Sequence, residues 1–359
     1  MRVTELEIQN FRNIAKFKQN FEPAGAIIYG KNGTGKTNLL EAISYCAFGK
    51  SIRSAADAEL VNFSKAFFRL SGKFTFADKE LTITAANDKK QKIIKLDDSK
   101  IDRISEMYQY VKVVYFSPED IELVSGGPIY RRRFIDLAIS QTSYQYLEDL
   151  RTYHRILKQR NALLKTDFSY KEKRAWDGRL AELASKIICK RLDYLKKFIP
   201  SLCKKYFFVS GEEEELSVAY KYSFLRDDTL KMEDNISEHL ERIEADEIRL
   251  QRTLVGPHLD DIDFLIKSRS ARSYGSQGQK RSLAITSRLV QADIIRSIDA
   301  EAPILIFDDV LADLDRNRAK RIMEILERDH QIFIATPNLE LYKNFGLKAI
   351  DLEQRLNEQ

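Results

Sequence analysis

The 359-residue sequence predicts an α/β fold, and three observations carry that prediction. A strand-like run, Ala26-Ile27-Ile28-Tyr29, enters a glycine-rich loop from Gly30 to Thr37, and Leu39, Leu40 and Ile43 follow at helical spacing. Phe68, Leu70, Phe74 and Phe76 alternate with other residues, Leu81 and Ile83 repeat the pattern, and Ile94 and Leu96 suggest a third strand of an antiparallel meander. Between residues 131 and 200 the period becomes helical, so a helical lobe interrupts the chain before strand-like runs resume near the C-terminus.

The first segment reads as a strand over residues 3–9, a loop through Asn10-Phe11-Arg12-Asn13, and another strand entering the glycine-rich loop. That loop, Gly30-Lys31-Asn32-Gly33-Thr34-Gly35-Lys36-Thr37, is a full match to G-x-x-x-x-G-K-[ST], and Asn38 continues it into the helix. Its glycines let the backbone N–H groups turn inward, and the helix N-terminus adds its dipole, which together make an anion site. In that arrangement Lys36 reaches the β- and γ-phosphates of a nucleotide and Thr37 holds Mg²⁺.

Residues 111–116 form a continuous apolar run that reads as a buried strand, closed by Ser117-Pro118-Glu119-Asp120. Arg131-Arg132-Arg133 opens the helical region, where Leu147, Leu150, Leu157 and Leu164 form one apolar stripe and Leu180, Leu183, Ile187, Leu195 and Phe198 another. The short link Thr166-Asp167-Phe168-Ser169-Tyr170 would join them as a stubby antiparallel arm, with Pro200 ending the second helix. From residue 130 to 200 there are 17 Lys or Arg against 8 Asp or Glu, a candidate nucleic-acid surface, whereas Glu212 to Glu215 is acidic. Further strands are expected over residues 216–222 and 262–266.

Apolar content of 43% supports a large folded core, and the charged N-terminus with no 18-residue apolar run points to a cytoplasmic protein without a membrane partner. Cys46, Cys189 and Cys203 lack metal-type spacing and read as three buried thiols.

Near the C-terminus Ile304-Leu305-Ile306-Phe307-Asp308-Asp309 is an apolar strand ending in two carboxylates. Asp308 is assigned to the metal opposite Thr37, and Asp309 to the attacking water. Ser276-Gln277-Gly278-Gln279 precedes a helical stretch over residues 282–298 and offers a hydroxyl and N–H groups to a γ-phosphate. The order phosphate loop, S-x-G-Q, Asp-Asp, then Leu311-Ala312-Asp313-Leu314-Asp315 resembles the Walker A, signature, Walker B and D-loop of ABC-type P-loop ATPase heads.

With Asn10 to Asn13, Ser117 to Ile121, Arg131 to Asp136, Tyr153 to Asn161 and Gly256-Pro257-His258 with Asp260-Asp261, the motifs look like those of the RecF family of bacterial recombination mediators over about residues 2–340. The resemblance implies an ABC-type head with an antiparallel β subdomain and a helical lobe II carrying a short hairpin arm, divided as 1–122, 123–294 and 295–359. It also implies a DNA-stimulated ATPase that takes ATP and Mg²⁺, forms an ATP-dependent homodimer, binds double-stranded DNA and ds/ss junctions, and works with RecR and RecO in loading recombinase. Arg12, Asn38, Asp315 and residues 276–279 would join the phosphate loop around the nucleotide, Lys36 and Asp309 would serve catalysis, and Arg131, Arg132 and Arg133 would meet DNA.

The sequence departs from the family at Leu259, where Arg is common, at Ile52, where His is common, and at Lys280, where Gln is frequent. It has no glutamine after the strand ending at Phe116, so Glu119 or Asp120 is expected near the nucleotide, and Thr336 stands where a transporter ATPase has its switch His. The alternative reading, a nucleotide-binding subunit of an ABC transporter, lacks that glutamine and that His. A nuclease-coupled ATPase would need a carboxylate-rich metal domain, and consecutive strand residues such as Glu212 to Glu215 face opposite ways.

Overall fold

The computed structural model describes residues 1–53, 55–76, 79–101, 103–311, 314–326 and 329–358. The chain divides into two compact units, Met1–Asp120 with Arg281–Gln359, and Ile121–Lys280. The second division falls inside a helix, because the helix that starts at the signature continues unbroken into the first unit.

In the first unit β1 (Arg2–Phe11) turns at Arg12-Asn13 into β2 (Ile14–Asn20), a strand that sequence pattern alone did not separate from the loop. β3 (Gly25–Tyr29) leads into the phosphate loop and α1 (Lys36–Phe48). β4 (Phe68–Phe76), β5 (Lys79–Asn87), β6 (Lys92–Leu96) and β7 (Ser99–Lys100) form the expected meander. Together with the first hairpin they make an antiparallel sheet in the order β2-β1-β4-β5-β6-β7. β8 (Val113–Phe116) closes this part of the chain.

The second unit opens with α2 (Glu122–Ser125), α3 (Pro128–Ser140), α4 (Tyr144–Leu163) and α5 (Tyr170–Val209), followed by β9 (Leu216–Lys221), α6 (Met232–Arg242) and α7 (Glu244–Leu250). β10 (Asp261–Ile266), β11 (Arg269–Ser270) and α8 (Ala271–Tyr274) complete it, and the strands pair antiparallel in the order β11-β10-β9. α4 and α5 form the expected helical hairpin. Its buried seam differs from the leucine stripe: Tyr146, Tyr153, Ile156 and Arg160 are buried on α4, and of the stripe only Leu164, just past the helix, is buried, while Leu147, Leu150 and Leu157 flank the seam. On α5 the stripe from Leu180 to Phe198 is buried as expected. Pro200 does not end α5, which runs 40 residues through it; one missing N–H is tolerated where Leu202, Tyr206 and Val209 continue the buried face.

The chain returns to the first unit through α9 (Gln277–Asp299), then β12 (Ile304–Asp308), α10 (Arg316–Glu324), β13 (Ile332–Thr336), β14 (Lys348–Asp351) and α11 (Leu352–Asn357). A parallel sheet in the order β14-β3-β13-β12-β8 results. Its central strands are buried on both faces, which is why they read as unbroken apolar runs.

α1 touches strands of both sheets, and all its residues from Leu39 to Phe48 are buried. Phe11, Tyr45 and Phe68 lock it to the antiparallel sheet by edge-to-face contacts with centroids 5.2 to 6.1 Å apart. Of the cysteines, Cys46 lies buried in this layer, but Cys189 is exposed and Cys203 half-buried, since α5 presents them on its flank. Among the described residues no helix is long and apolar enough to cross a membrane.

Candidate nucleotide-binding site

The phosphate loop follows β3 as its sequence requires. Gly30, Gly33 and Gly35 all have positive φ, and a Cβ on Gly35 would stand 2.6 Å from Asn13 Oδ1. Asn13 explains that crowding: its Nδ2 donates to the Gly33 carbonyl (3.1 Å), and its Oδ1 accepts from Asn38 Nδ2 (2.8 Å). The β1–β2 turn thus clamps the loop, a role that the local motif does not disclose. Lys36 Nζ donates to the Gly30 and Lys31 carbonyls at 2.8 and 2.9 Å, and burial lowers its pKa against the opposing pull of Asp309 and Asp308. Thr34 Oγ1 donates to Lys31, while Lys31, Asn32 and Gly33 remain exposed.

Thr37 Oγ1 donates to Asp308 Oδ1 at 2.8 Å, joining residues 271 positions apart. Tyr115 donates from β8 to Asp308 Oδ2 at 2.9 Å. Burial raises the Asp308 pKa, and these two hydrogen bonds oppose it. A hydroxyl beside a buried carboxylate is a hard oxygen set that fits Mg²⁺, whose charge would offset that burial. Asp309 follows in the left-handed region (φ 56°), with its N–H donating to Ala335 O at 3.1 Å. Thr336 is fully buried and bonds locally to Asn338.

Of the two acids after β8, Glu119 is exposed and close enough to raise the Asp308 pKa. Asp120 is spoken for: it accepts from Arg288 (2.7 Å) and from the Ser117 N–H (2.9 Å). Arg12 forms a two-pronged pair with the fully buried Glu41, at 3.1 Å for both contacts, and Ser51 Oγ donates to the same carboxylate at 2.5 Å. Its guanidinium is therefore held against α1. Asp315 caps α10, accepting from the Arg318 N–H at 2.9 Å; Ala312 and Asp313 of the D-loop lie outside the described residues.

In the second unit Ser276 and Gln279 form a capping box at the start of α9. Ser276 Oγ accepts from the Gln279 N–H at 3.2 Å, and the Ser276 N–H donates to Gln279 Oε1 at 2.7 Å. Ser276 and Gln277 are exposed, and no side chain crowds Gly278 more closely than Ser276 Oγ at 4.0 Å.

One member of the arginine cluster, Arg131, is corrected by the structure. Arg131 is 3% exposed; it pairs with both oxygens of Asp261 at 2.7 and 3.0 Å and donates to the Gly126 carbonyl at 2.9 Å, so it is a core residue. Arg132 is half-buried and donates to the Asp260 carbonyl at 2.8 Å, which leaves Arg133 as the exposed member. The Gly256-Pro257-His258 motif is likewise internal: buried Arg191 joins the Pro257 carbonyl (2.7 Å) to Asp136, and Tyr153 meets His258 Nδ1 at 2.6 Å. Burial pushes His258 down to about 4.

Residues 2–351 match the family described as the RecF/RecN/SMC N terminal domain. The chain is 36% identical over 349 residues to the DNA replication and repair protein RecF of Heliobacterium modesticaldum, covering 95% of this chain and 94% of that relative. It is 35% identical over 346 residues to the protein of the same name in Streptococcus pneumoniae, covering 96% and 94%. The solved structure of the recombination mediator protein RecF-ATP in the RecFOR pathway aligns with a TM-score of 0.86 at 34% identity, over 94% of this chain and 92% of that one. An Smc head bound to the C-winged helix domain of ScpA, at 15% identity and a TM-score of 0.56, shares the fold alone. The architecture is that of an ABC-type ATPase head, and the chain belongs to the RecF family of DNA replication and repair proteins.

Proposed function

We propose that this protein is a cytoplasmic ATPase of DNA repair, two copies of which close around ATP, grip DNA at gaps or ds/ss junctions, and help RecO and RecR load recombinase. The observation that carries the ATPase reading is Thr37 Oγ1 at 2.8 Å from Asp308 Oδ1, beside Lys36 on the phosphate loop. Thr37 and Asp308 would hold Mg²⁺, which supplies positive charge to the β- and γ-phosphates. Lys36 gives up its two carbonyl contacts to reach the same phosphates, and Asp309 orients and deprotonates the attacking water. Names of relatives and of ATP-bound neighbours support the pathway. Dimerisation rests on the signature: Ser276 is presented outward at a helix N-terminus, available to a nucleotide on a second copy.

Asp309→Asn is the test of the hydrolysis reading. Asn accepts the left-handed backbone of this position, so the fold survives, but its amide takes no proton from water. ATP binding should persist while turnover falls on the order of a hundredfold or more. Wild-type turnover would remove Asp309 from the mechanism.

For DNA, the exposed cations of the helical hairpin, Arg155, Lys158 and Lys165, replace Arg131 as phosphate contacts. Each one neutralised should lower the slope of log affinity against log salt by about 0.9 on duplex DNA. Arg131→Gln should leave that slope unchanged and instead cost about 3 kcal/mol of stability, since it strands Asp261. A slope that moves with Arg131 but not with the hairpin would reverse the assignment.

A further inference from the structure

Of the four consecutive glutamates at 212–215, Glu212, Glu213 and Glu215 are exposed, but Glu214 is only 7% exposed. The chain folds back after α5 to put it there: Gly211 and Glu212 both take positive φ, and the Glu214 N–H donates to Ser210 Oγ at 3.2 Å. Its carboxylate then accepts from two sides. Tyr206, in the last turn of α5, donates its hydroxyl to Oε2 at 2.5 Å, and Gln279 donates Nε2 to Oε1 at 3.0 Å.

The amide nitrogen of Gln279 can only donate, so the Glu214 oxygen 3.0 Å away fixes which end of that amide faces it. The amide oxygen must then point the other way, where it takes the Ser276 N–H. With that N–H consumed and Ser276 Oγ accepting from the Gln279 N–H, the capping box does not use the Ser276 hydroxyl hydrogen, and the N–H groups of Gln277 and Gly278 lie in the first turn, where no helical carbonyl can accept them.

We propose that Glu214 is a positioning residue for the signature, a relay through which the last turn of α5 sets the donors that Ser276, Gln277 and Gly278 present to a γ-phosphate. The proposal rests on the reading that the signature completes a site on a second copy. It gives the acidic tract a role unconnected with metal, and it ties the helix that begins at the hairpin to the step that closes the dimer.

The test is a swap cycle read by sedimentation with ATP, in the slow-hydrolysing Asp309→Asn background. Glu214→Gln is isosteric but uncharged, so the bond that Gln279 Nε2 makes to it loses its charged acceptor. One of the two amide orientations turns NH2 on NH2, whereas the Tyr206 hydroxyl can accept as well as donate. This variant should weaken ATP-driven dimerisation about tenfold, the scale of one charged hydrogen bond, while ATP affinity of the monomer stays within about twofold. Gln279→Glu alone sets two carboxylates face to face and should weaken dimerisation at least as much. The double variant Glu214→Gln with Gln279→Glu restores donor to acceptor and should recover most of the loss. Dimerisation that changes while the thermal stability and ATP affinity of the monomer do not is the readout that a merely structural role would not give. Tyr206→Phe, which removes one hydroxyl, should shift dimerisation in the same direction by a smaller factor and serves if Glu214→Gln does not fold. Single variants that dimerise like the parent, or a double variant whose losses add, overturn the relay. Ser276→Arg run alongside separates the two ideas: if it too dimerises normally, the shared-site reading has failed and not the relay alone.

Discussion

Ser276→Arg should bind ATP as a monomer yet fail to dimerise, and its turnover should drop on the order of a hundredfold or more, the scale seen when a preorganised donor is lost from a reacting anion. The residue is exposed at the head of α9, and a large cation there fills the space that its hydroxyl and the following N–H groups would offer to phosphate. On the shared-site proposal, specific activity of the wild type should rise with protein concentration until dimers dominate. Mixing Ser276→Arg with Lys36→Arg gives the strictest version. Their heterodimer has one site built from two intact halves and one built from two damaged halves, so partial activity should return on mixing two inactive proteins. Normal ATP-driven dimerisation of Ser276→Arg would sink the sandwich mechanism even if the protein remains an ATPase.

Lys36→Arg should lose nucleotide binding with little loss of fold. Lys36 Nζ lies within 2.9 Å of two loop carbonyls and is largely buried, so the room available suits a compact ammonium and not a planar fork. ATP affinity should fall more than tenfold, and ATP should no longer shift the sedimentation of the protein. Circular dichroism should be unchanged. An arginine variant that binds and hydrolyses ATP normally would remove the phosphate-loop assignment on which the other predictions depend.

Features written locally in the chain were legible. The glycine loop needs particular residue types at fixed offsets, and the buried strands of the parallel sheet need unbroken apolar runs, so β3, β8 and β12 could be read directly. What hydropathy concealed were polar groups buried with distant partners. Arg131 finds Asp261 across 130 positions, Arg160 finds Glu247 across 87, and Tyr115 finds Asp308 across 193. A cationic triplet on a helix looks alike whether it meets solvent or a carboxylate that folding brings to it. The same blindness hid the α4 seam, where Tyr146, Tyr153 and Arg160 are buried in place of the leucines beside them. Within the candidate site the phosphate loop and Asp308 came from pattern, whereas Asn13 and Glu41 act through contacts no spacing encodes.

The burial of α1 has an energetic meaning for whatever binds the loop. Lys36 and Thr37 are the first two residues of a helix covered by both sheets, so its amides exchange with solvent only when much of the first unit opens. A ligand held by these residues therefore does not merely order a surface segment. By mass action it withdraws the unfolded chain from equilibrium, adding about 2.7 kcal/mol at a ligand concentration a hundred times its dissociation constant. Cellular nucleotide supply then becomes a determinant of how long the polypeptide survives proteolysis, and a lesion in the loop would lower its abundance as well as its activity.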